Sequence, residues 1–263
     1  MADRVAMLID VSKCMGCRGC QVACKQWNQL PAEKTRNTGT YQNPPRLSGK
    51  TWTLVSFIEP DDGDVRWLFR KQQCLHCGEA TCLQVCPTGA IKRQRGIVFI
   101  DQDICTGCKY CVETCPFGTP HPNPDTGTAM KCRMCLDRVV NGLKPACVTA
   151  CSTGALSFGS REEMVAIARE RHQELRKTHP DANIYGASDK VLGGLGAIYL
   201  LSEKASVYGL PLDPKLPHGK IAVKWLLGVV PGLVILAGIW RYLRKNEPET
   251  EAATKTATKA GGE

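Results

Sequence analysis

Sixteen cysteines, all between Cys14 and Cys151 and all in four tight groups, constrain this 263-residue chain more than any other feature. Cys14, Cys17, Cys20 and Cys24 read C-x2-C-x2-C-x3-C, and Cys105, Cys108, Cys111 and Cys115 repeat that pattern. Cys74, Cys77, Cys82 and Cys86 read C-x2-C-x4-C-x3-C, whereas Cys132, Cys135, Cys147 and Cys151 read C-x2-C-x11-C-x3-C. Disulfides suit short secreted scaffolds, and cysteines three residues apart bridge one another only under strain. Isolated C-x2-C pairs often hold tetrahedral zinc, but a four-ligand ion gives no reason for a third cysteine at the same short interval, twice. Three closely spaced thiolates on a tight loop suit three corners of an iron–sulfur cube. The fourth, three residues on, starts a helix and points away to a second cube. No C-x-x-C is followed by His, so covalent haem has no attachment site.

Pro87 and Pro116 follow Cys86 and Cys115, completing a bacterial ferredoxin signature; Lys25 and Ser152 stand at that place in the other two groups. Crossing-over of fourth cysteines requires groups in pairs, and the flanks identify the pairs. Leu8-Ile-Asp10 precedes Cys14 at the offset at which Phe99-Ile-Asp101 precedes Cys105. Cys86-Pro-Thr-Gly-Ala-Ile91 matches Cys151-Ser-Thr-Gly-Ala-Leu156. The first and third groups are thus one half-type, the second and fourth the other. The second and third are joined by a predicted β-hairpin, Ala90-Ile-Lys92 and Ile97-Val-Phe-Ile100 around Gln94-Arg-Gly96. They make an inner module, and the first and fourth groups pair around it. This predicts four [4Fe-4S] clusters. The outer pair is ligated by Cys14, Cys17, Cys20 and Cys151, and by Cys132, Cys135, Cys147 and Cys24. The inner pair is ligated by Cys74, Cys77, Cys82 and Cys115, and by Cys105, Cys108, Cys111 and Cys86. Between the first two groups, Trp52–Phe57 and Val65–Phe69 flank Pro60–Asp64 as a second hairpin, with its Trp residues packed in a core or subunit interface.

Composition bears on the partners. Lys and Arg number 34 against 25 Asp and Glu, a net charge of +9. Four clusters at about −2 each would bring the loaded chain near +1. Lys13, Arg18, Lys25, Lys71, Lys109, Lys131 and Arg133 flank cysteines, where they offset thiolate charge, and no aromatic-rich motif accompanies them; nucleic acid is not the expected partner. A mean hydropathy of −0.20 excludes a many-spanning membrane protein. Met1–Asp10 has no apolar core and no cleavage site of a signal peptide, so export is expected only with a partner that carries one.

After the last cysteine, Ser160-Arg-Glu-Glu163 is a capping box that opens a helix from Arg161 to about Thr178, with His172 and His179 as surface residues. Residues 181–220, rich in Gly and Pro, read as an extended arm lying on a partner. Ile221–Leu243, with Lys224 and Arg241 as snorkelling ends and Trp225, Trp240 and Tyr242 as interfacial anchors, is long enough as a helix, about 34 Å, to cross a bilayer. Arg241, Arg244 and Lys245 after the span, with Lys255 and Lys259 beyond, slightly outweigh Lys215, Lys220 and Lys224 before it. That bias places the C-terminus inside and the clusters outside. The expected fold class is α+β. Residues 1–30 and 125–160 form an outer two-cluster ferredoxin-like module, 31–73 an inserted hairpin and 74–124 the inner module. Residues 161–220 are the helix and arm, 221–243 a transmembrane helix, and 244–263 a disordered tail.

Taken together, the chain resembles the iron–sulfur β-subunit of membrane-bound respiratory formate dehydrogenase. The resemblance rests on Leu8-Ile-Asp-Val-Ser12, on Cys20-Gln-Val-Ala-Cys24 with Trp27-Asn28, and on Lys131-Cys-Arg-Met-Cys-Leu-Asp-Arg138. Pro145-Ala-Cys147 and Tyr208-Gly-Leu-Pro-Leu-Asp-Pro-Lys215, followed by one span, complete it. It implies an electron-transfer subunit of anaerobic respiration with no catalytic residue of its own. A catalytic α-subunit holding molybdenum or tungsten on a pterin would oxidise formate, and a cytochrome b γ-subunit would pass electrons to quinone. It also implies a single-pass inner-membrane protein with clusters on the periplasmic side, carried across by the α-subunit's twin-arginine signal. The cysteine pattern alone is shared with wires of nitrate, thiosulfate, polysulfide and dimethyl sulfoxide reductases, which form the alternative. A diffusing ferredoxin-like carrier is a rival of another class, and it would have no use for Ile221–Leu243.

Overall fold

Val5–Asp10 is apolar until its last residue and buried along its whole length, and it lies at the heart of the fold. The computed structural model describes residues 4–61, 63, 65–215, 232, 234–242 and 244, divided between two units, Met1–Leu216 and Pro217–Glu263. In chain order the first unit forms β1 (Val5–Asp10), α1 (Gly19–Trp27), β2 (Leu54–Ile58), β3 (Leu68–Gln72), α2 (Thr81–Gln84), β4 (Ile91–Gln94), β5 (Ile97–Ile100) and α3 (Tyr110–Thr114). There follow β6 (His121–Pro122), β7 (Ala129–Met130), α4 (Leu136–Val140), α5 (Ala146–Thr149), β8 (Leu156–Ser160), α6 (Arg161–Leu175), β9 (Asn183–Tyr185) and β10 (Ala197–Leu201).

The main sheet has the order β8-β1-β10-β9. β1 runs parallel to β10, from Met7 opposite Ala197 to Asp10 opposite Leu200, and antiparallel to β8, from Val5 opposite Ser160 to Ile9 opposite Leu156. Both faces are covered, which is why β1 and β10 are near-continuous apolar runs without polar alternation. Ala6, Leu8, Ile198 and Leu200 face α6, where Met164, Val165, Ala168 and Leu175 meet them. Val5, Met7, Ile9, Ala197, Tyr199 and Leu201 face the cysteine-bearing loops, in one core with Met134, Leu136 and Cys147. Ser160 caps α6 by accepting from the Glu163 amide at 3.2 Å.

The hairpin expected at Gln94-Arg-Gly96 is β4–β5, with Ile91 opposite Ile100, and its turn residues Arg95 and Gly96 both have positive φ, +50° and +81°. A turn with two left-handed residues matches the twist of the flanking strands. The relation of β4 and β5 recurs in β8 and β1: one strand follows the last cysteine of one group, and its antiparallel partner precedes the first cysteine of another. The inserted hairpin is β2–β3, with Leu54 opposite Gln72.

One expectation is corrected. The described part of this stretch, residues 181–215, does not lie extended and apart, because β9 and β10 complete the main sheet and Tyr208 and Leu210 are buried in its core. An apolar run of five with neighbours on both sides of the sheet buries more surface in its own chain than an arm could hold free. The span expected at Ile221–Leu243 and the tail 244–263 fall mostly outside the described residues. Among those described, no helix is long and apolar enough to cross a membrane. Residues 234–242 of the second unit are helical, with Val234, Ile235, Leu236, Ile239, Trp240 and Tyr242 all exposed.

Candidate metal centres

The cysteine loops are built on left-handed backbone. In the first group Gly16 and Arg18 have φ of +69° and +59°; in the third, Gly107 and Lys109, at the same two offsets, have +69° and +65°. In the second and fourth groups the shared position is His76 and Met134, at +46° and +49°. The backbone therefore repeats the two half-types seen in the flanks. Gly16 is required twice over, since a Cβ there would also meet the Phe69 ring at 2.8 Å. Such turns aim amides at sulfur: the His76 N–H donates to Cys74 Sγ at 3.5 Å and the Met134 N–H to Cys132 Sγ at 3.3 Å. Thr88 and Thr153, each two residues past a fourth cysteine, place their hydroxyls 3.7 Å from Cys86 Sγ and 3.8 Å from Cys151 Sγ.

Short helices carry the remaining thiols across. α1 holds Cys20 and Cys24 and packs on α5, which holds Cys147 with Cys151 just beyond; α2, with Cys82, packs in the same way on α3, with Cys111. One cavity is lined by Cys14, Cys17, Cys20 and Cys151, together with Phe69 and Lys71. A second is lined by Cys74, Cys77, Cys82 and Cys115, with His76 and Lys131. A third is lined by Cys86, Cys105, Cys108 and Cys111. The last four thiols, Cys24, Cys132, Cys135 and Cys147, are all buried and lie within one another's fields. All sixteen are free thiols, and among the described residues no three His, Cys, Asp or Glu side chains are grouped to hold a single metal ion.

Burial dominates the electrostatics. It pushes the thiols of Cys20 and Cys82 up to about 12 and those of Cys111 and Cys135 up to about 11, with neighbouring cysteines adding to the rise. Cys86 moves the other way: its slight burial is outweighed by hydrogen bonds from Ile91, Thr88 and Ala90. Two of the seven cations that flank cysteines are interior. Lys71 is 2% exposed and Lys131 is 4% exposed. Burial works to deprotonate them, yet the cysteines around each outweigh it and hold both above the ordinary lysine value: Cys147, Cys20, Cys132 and Cys24 for Lys71, and Cys74, Cys82 and Cys132 for Lys131. Sixteen soft donors, amides aimed at sulfur and interior lysines fit an anionic, thiolate-held iron–sulfur group. The sets also lie within one another's electrostatic reach in series, since Cys147 acts on Cys20, Cys74 on Cys132 and Cys111 on Cys82.

Sequence reasoning placed the cysteines but missed the burial of Lys71 and Lys131. The usable signal was the period of two in β3, which sets Lys71 on the face of Phe69. It also missed an open groove of about 650 Å³ between α1, α4 and α5, where the half-exposed Trp27 donates to Asp137 at 2.8 Å and Arg138 lies 4.3 Å over the Trp27 ring.

Strand pairs, helix pairs and thiol loops that recur at two levels of nesting define a ferredoxin-like iron–sulfur protein. Residues 13–90 and 65–161 each match a 4Fe-4S dicluster domain family. The chain is 42% identical to the formate dehydrogenase-O iron-sulfur subunit of Escherichia coli, over 86% of its own length and 76% of that protein. It is 40% identical to the formate dehydrogenase iron-sulfur subunit of Haemophilus influenzae, over 91% and 80% of the two chains. With formate dehydrogenase 2 subunit beta (cytochrome c-553) of Nitratidesulfovibrio vulgaris it shares 37%, over 77% of this chain and 95% of that one. The chain belongs to the family of formate dehydrogenase iron–sulfur subunits, the electron-transfer subunits of an oxidoreductase complex.

Proposed function

We propose that the chain carries four [4Fe-4S] clusters, one on each set of four cysteines, and conducts electrons from a catalytic molybdenum or tungsten α-subunit that oxidises formate to a membrane cytochrome b and quinone. The observation that carries this reading is the continuity of the four sets, each within the electrostatic reach of the next. When bound, a [4Fe-4S] cube supplies one-electron chemistry, its charge with four thiolates moving between about −2 and about −3. The protein's part is to hold each cube on its cysteine loop, donate backbone N–H groups to the cysteine sulfurs and exclude water with the core around Met134 and Tyr199. The exposed apolar residues of the helix at 234–242 favour a membrane anchor and a membrane acceptor over a soluble one. On this reading Ile221–Leu243 spans the inner membrane once, with the clusters on the periplasmic side.

The test is the native complex, purified without oxygen. It should contain about sixteen irons and sixteen sulfides in this chain, show four reducible EPR signals, and reduce quinone with formate. The chain alone should not oxidise formate. Zinc in place of iron, or formate turnover by the isolated chain, sinks the reading.

A further inference from the structure

Lys71 is the interior cation with nothing to bond. Its Nζ is buried and has no hydrogen-bond partner, whereas Lys131 Nζ donates to the carbonyls of Val98 and Cys132. Its position is fixed from two sides: β3 sets it opposite Val55 of β2, and the hydroxyl of the fully buried Tyr199 donates to the Lys71 carbonyl at 2.7 Å. Phe69, two residues earlier on the same strand, lines the same cavity with Cys14, Cys17, Cys20 and Cys151. The charges that act on the ammonium come from Cys147, Cys20, Cys132 and Cys24, one member of that set and three of the neighbouring one. An ammonium taken out of water without a partner is strongly unfavourable, and selection for packing alone would have left an apolar side chain here.

We propose that Lys71 is a potential-setting residue: a fixed positive charge shared by two neighbouring clusters, which holds the reduction potentials of both above those their own loops would give. The inference rests on the four-cluster reading above. Reduction adds negative charge, and a cation held in a low-dielectric interior favours the more negative state of whatever anion it faces. The effect should be largest on this pair, since the strongest charges acting on Lys71 come from these two sets and none from the Cys86 set.

The experiment is an EPR-monitored redox titration of the purified complex, comparing wild type with Lys71→Met, which keeps the length and loses the charge, and Lys71→Arg, which keeps the charge. Wild type must first show four clusters; fewer would overturn the four-cluster reading itself, and so is distinguishable from failure of this inference. In Lys71→Met two midpoint potentials should fall while that of the Cys86 set holds, and in Lys71→Arg all four should stay near wild type. Four unchanged potentials in a fully loaded Lys71→Met overturn the proposal. So do equal shifts in both variants, which would mean packing rather than charge. A Lys71→Met chain that loads no cluster counts against it as well, since the role assigned is tuning and not assembly.

Discussion

Cys24 is four residues from Cys20 on one short helix, yet it keeps different company. Its thiol lies in the field of Lys71 and Cys147, with Asn28 at 3.7 Å, while Cys20 lines the cavity of Cys14, Cys17 and Cys151. Replacing Cys24 by Ser should therefore remove a ligand from the cluster of Cys132, Cys135 and Cys147 and leave that of its own sequence group intact. Iron should fall by about one to four atoms per chain, and the EPR signal that changes should be the one also altered by Cys135→Ser. A change shared instead with Cys14→Ser would rule out the crossing-over. The thiols stood out because ligand spacing is a local property, each group of four lying within 20 residues or fewer of sequence. The lysines did not. By their place beside cysteines the seven flanking cations look alike; the alternation of β3 marks out Lys71, but only the tertiary fold decides that Lys131 is interior too while Lys13 stays half-exposed.

At the scale of elements the same contrast holds. β4 and β5 were readable because a two-residue turn joins them, and Arg95-Gly96 marks it. β10 was not, since its neighbour β1 is some 190 residues away and parallel, and no turn announces such a pairing. The Gly-rich stretch before it disguised it further: Gly193 and Gly194 take left-handed φ, +67° and +75°, to bring the chain against Gly78 and Arg4. The helix α6 was legible in place and cap, but not the sheet face it covers. That face carries a stability prediction. Leu200 is fully buried between β1 and α6, beside Leu8 and Met164. Leu200→Ala should cost about 2–5 kcal/mol, through lost burial and the cavity left behind. Urea titration of the loaded protein under nitrogen, followed by far-UV circular dichroism, measures it. A loss under about 1 kcal/mol would mean that β10 is peripheral, as the Gly- and Pro-rich composition around it suggested.

The whole molecule divides its labour along the chain. Every cysteine, both interior lysines and the main sheet belong to the unit Met1–Leu216, and the last thiol is Cys151. The unit Pro217–Glu263 contains no cysteine, and its described helical residues from Val234 to Tyr242 present Ile235, Leu236, Ile239 and Trp240 to the outside. Residues 181–216 change what can be removed safely: because β9, β10, Tyr208 and Leu210 complete the core, a cut at residue 180 should destroy the fold, whereas a cut before Ile221 touches none of it. If, as proposed, the second unit anchors the chain and the first carries four clusters, a chain ending at Lys220 should move from the membrane to the soluble fraction and keep all four clusters. The check is the iron content and EPR spectrum of the two fractions, from cells that make the truncated chain together with its catalytic partner. Clusters lost on truncation would mean that the second unit supports the first. A truncated chain that stays with the membrane when the cytochrome is absent would mean that the anchor lies elsewhere.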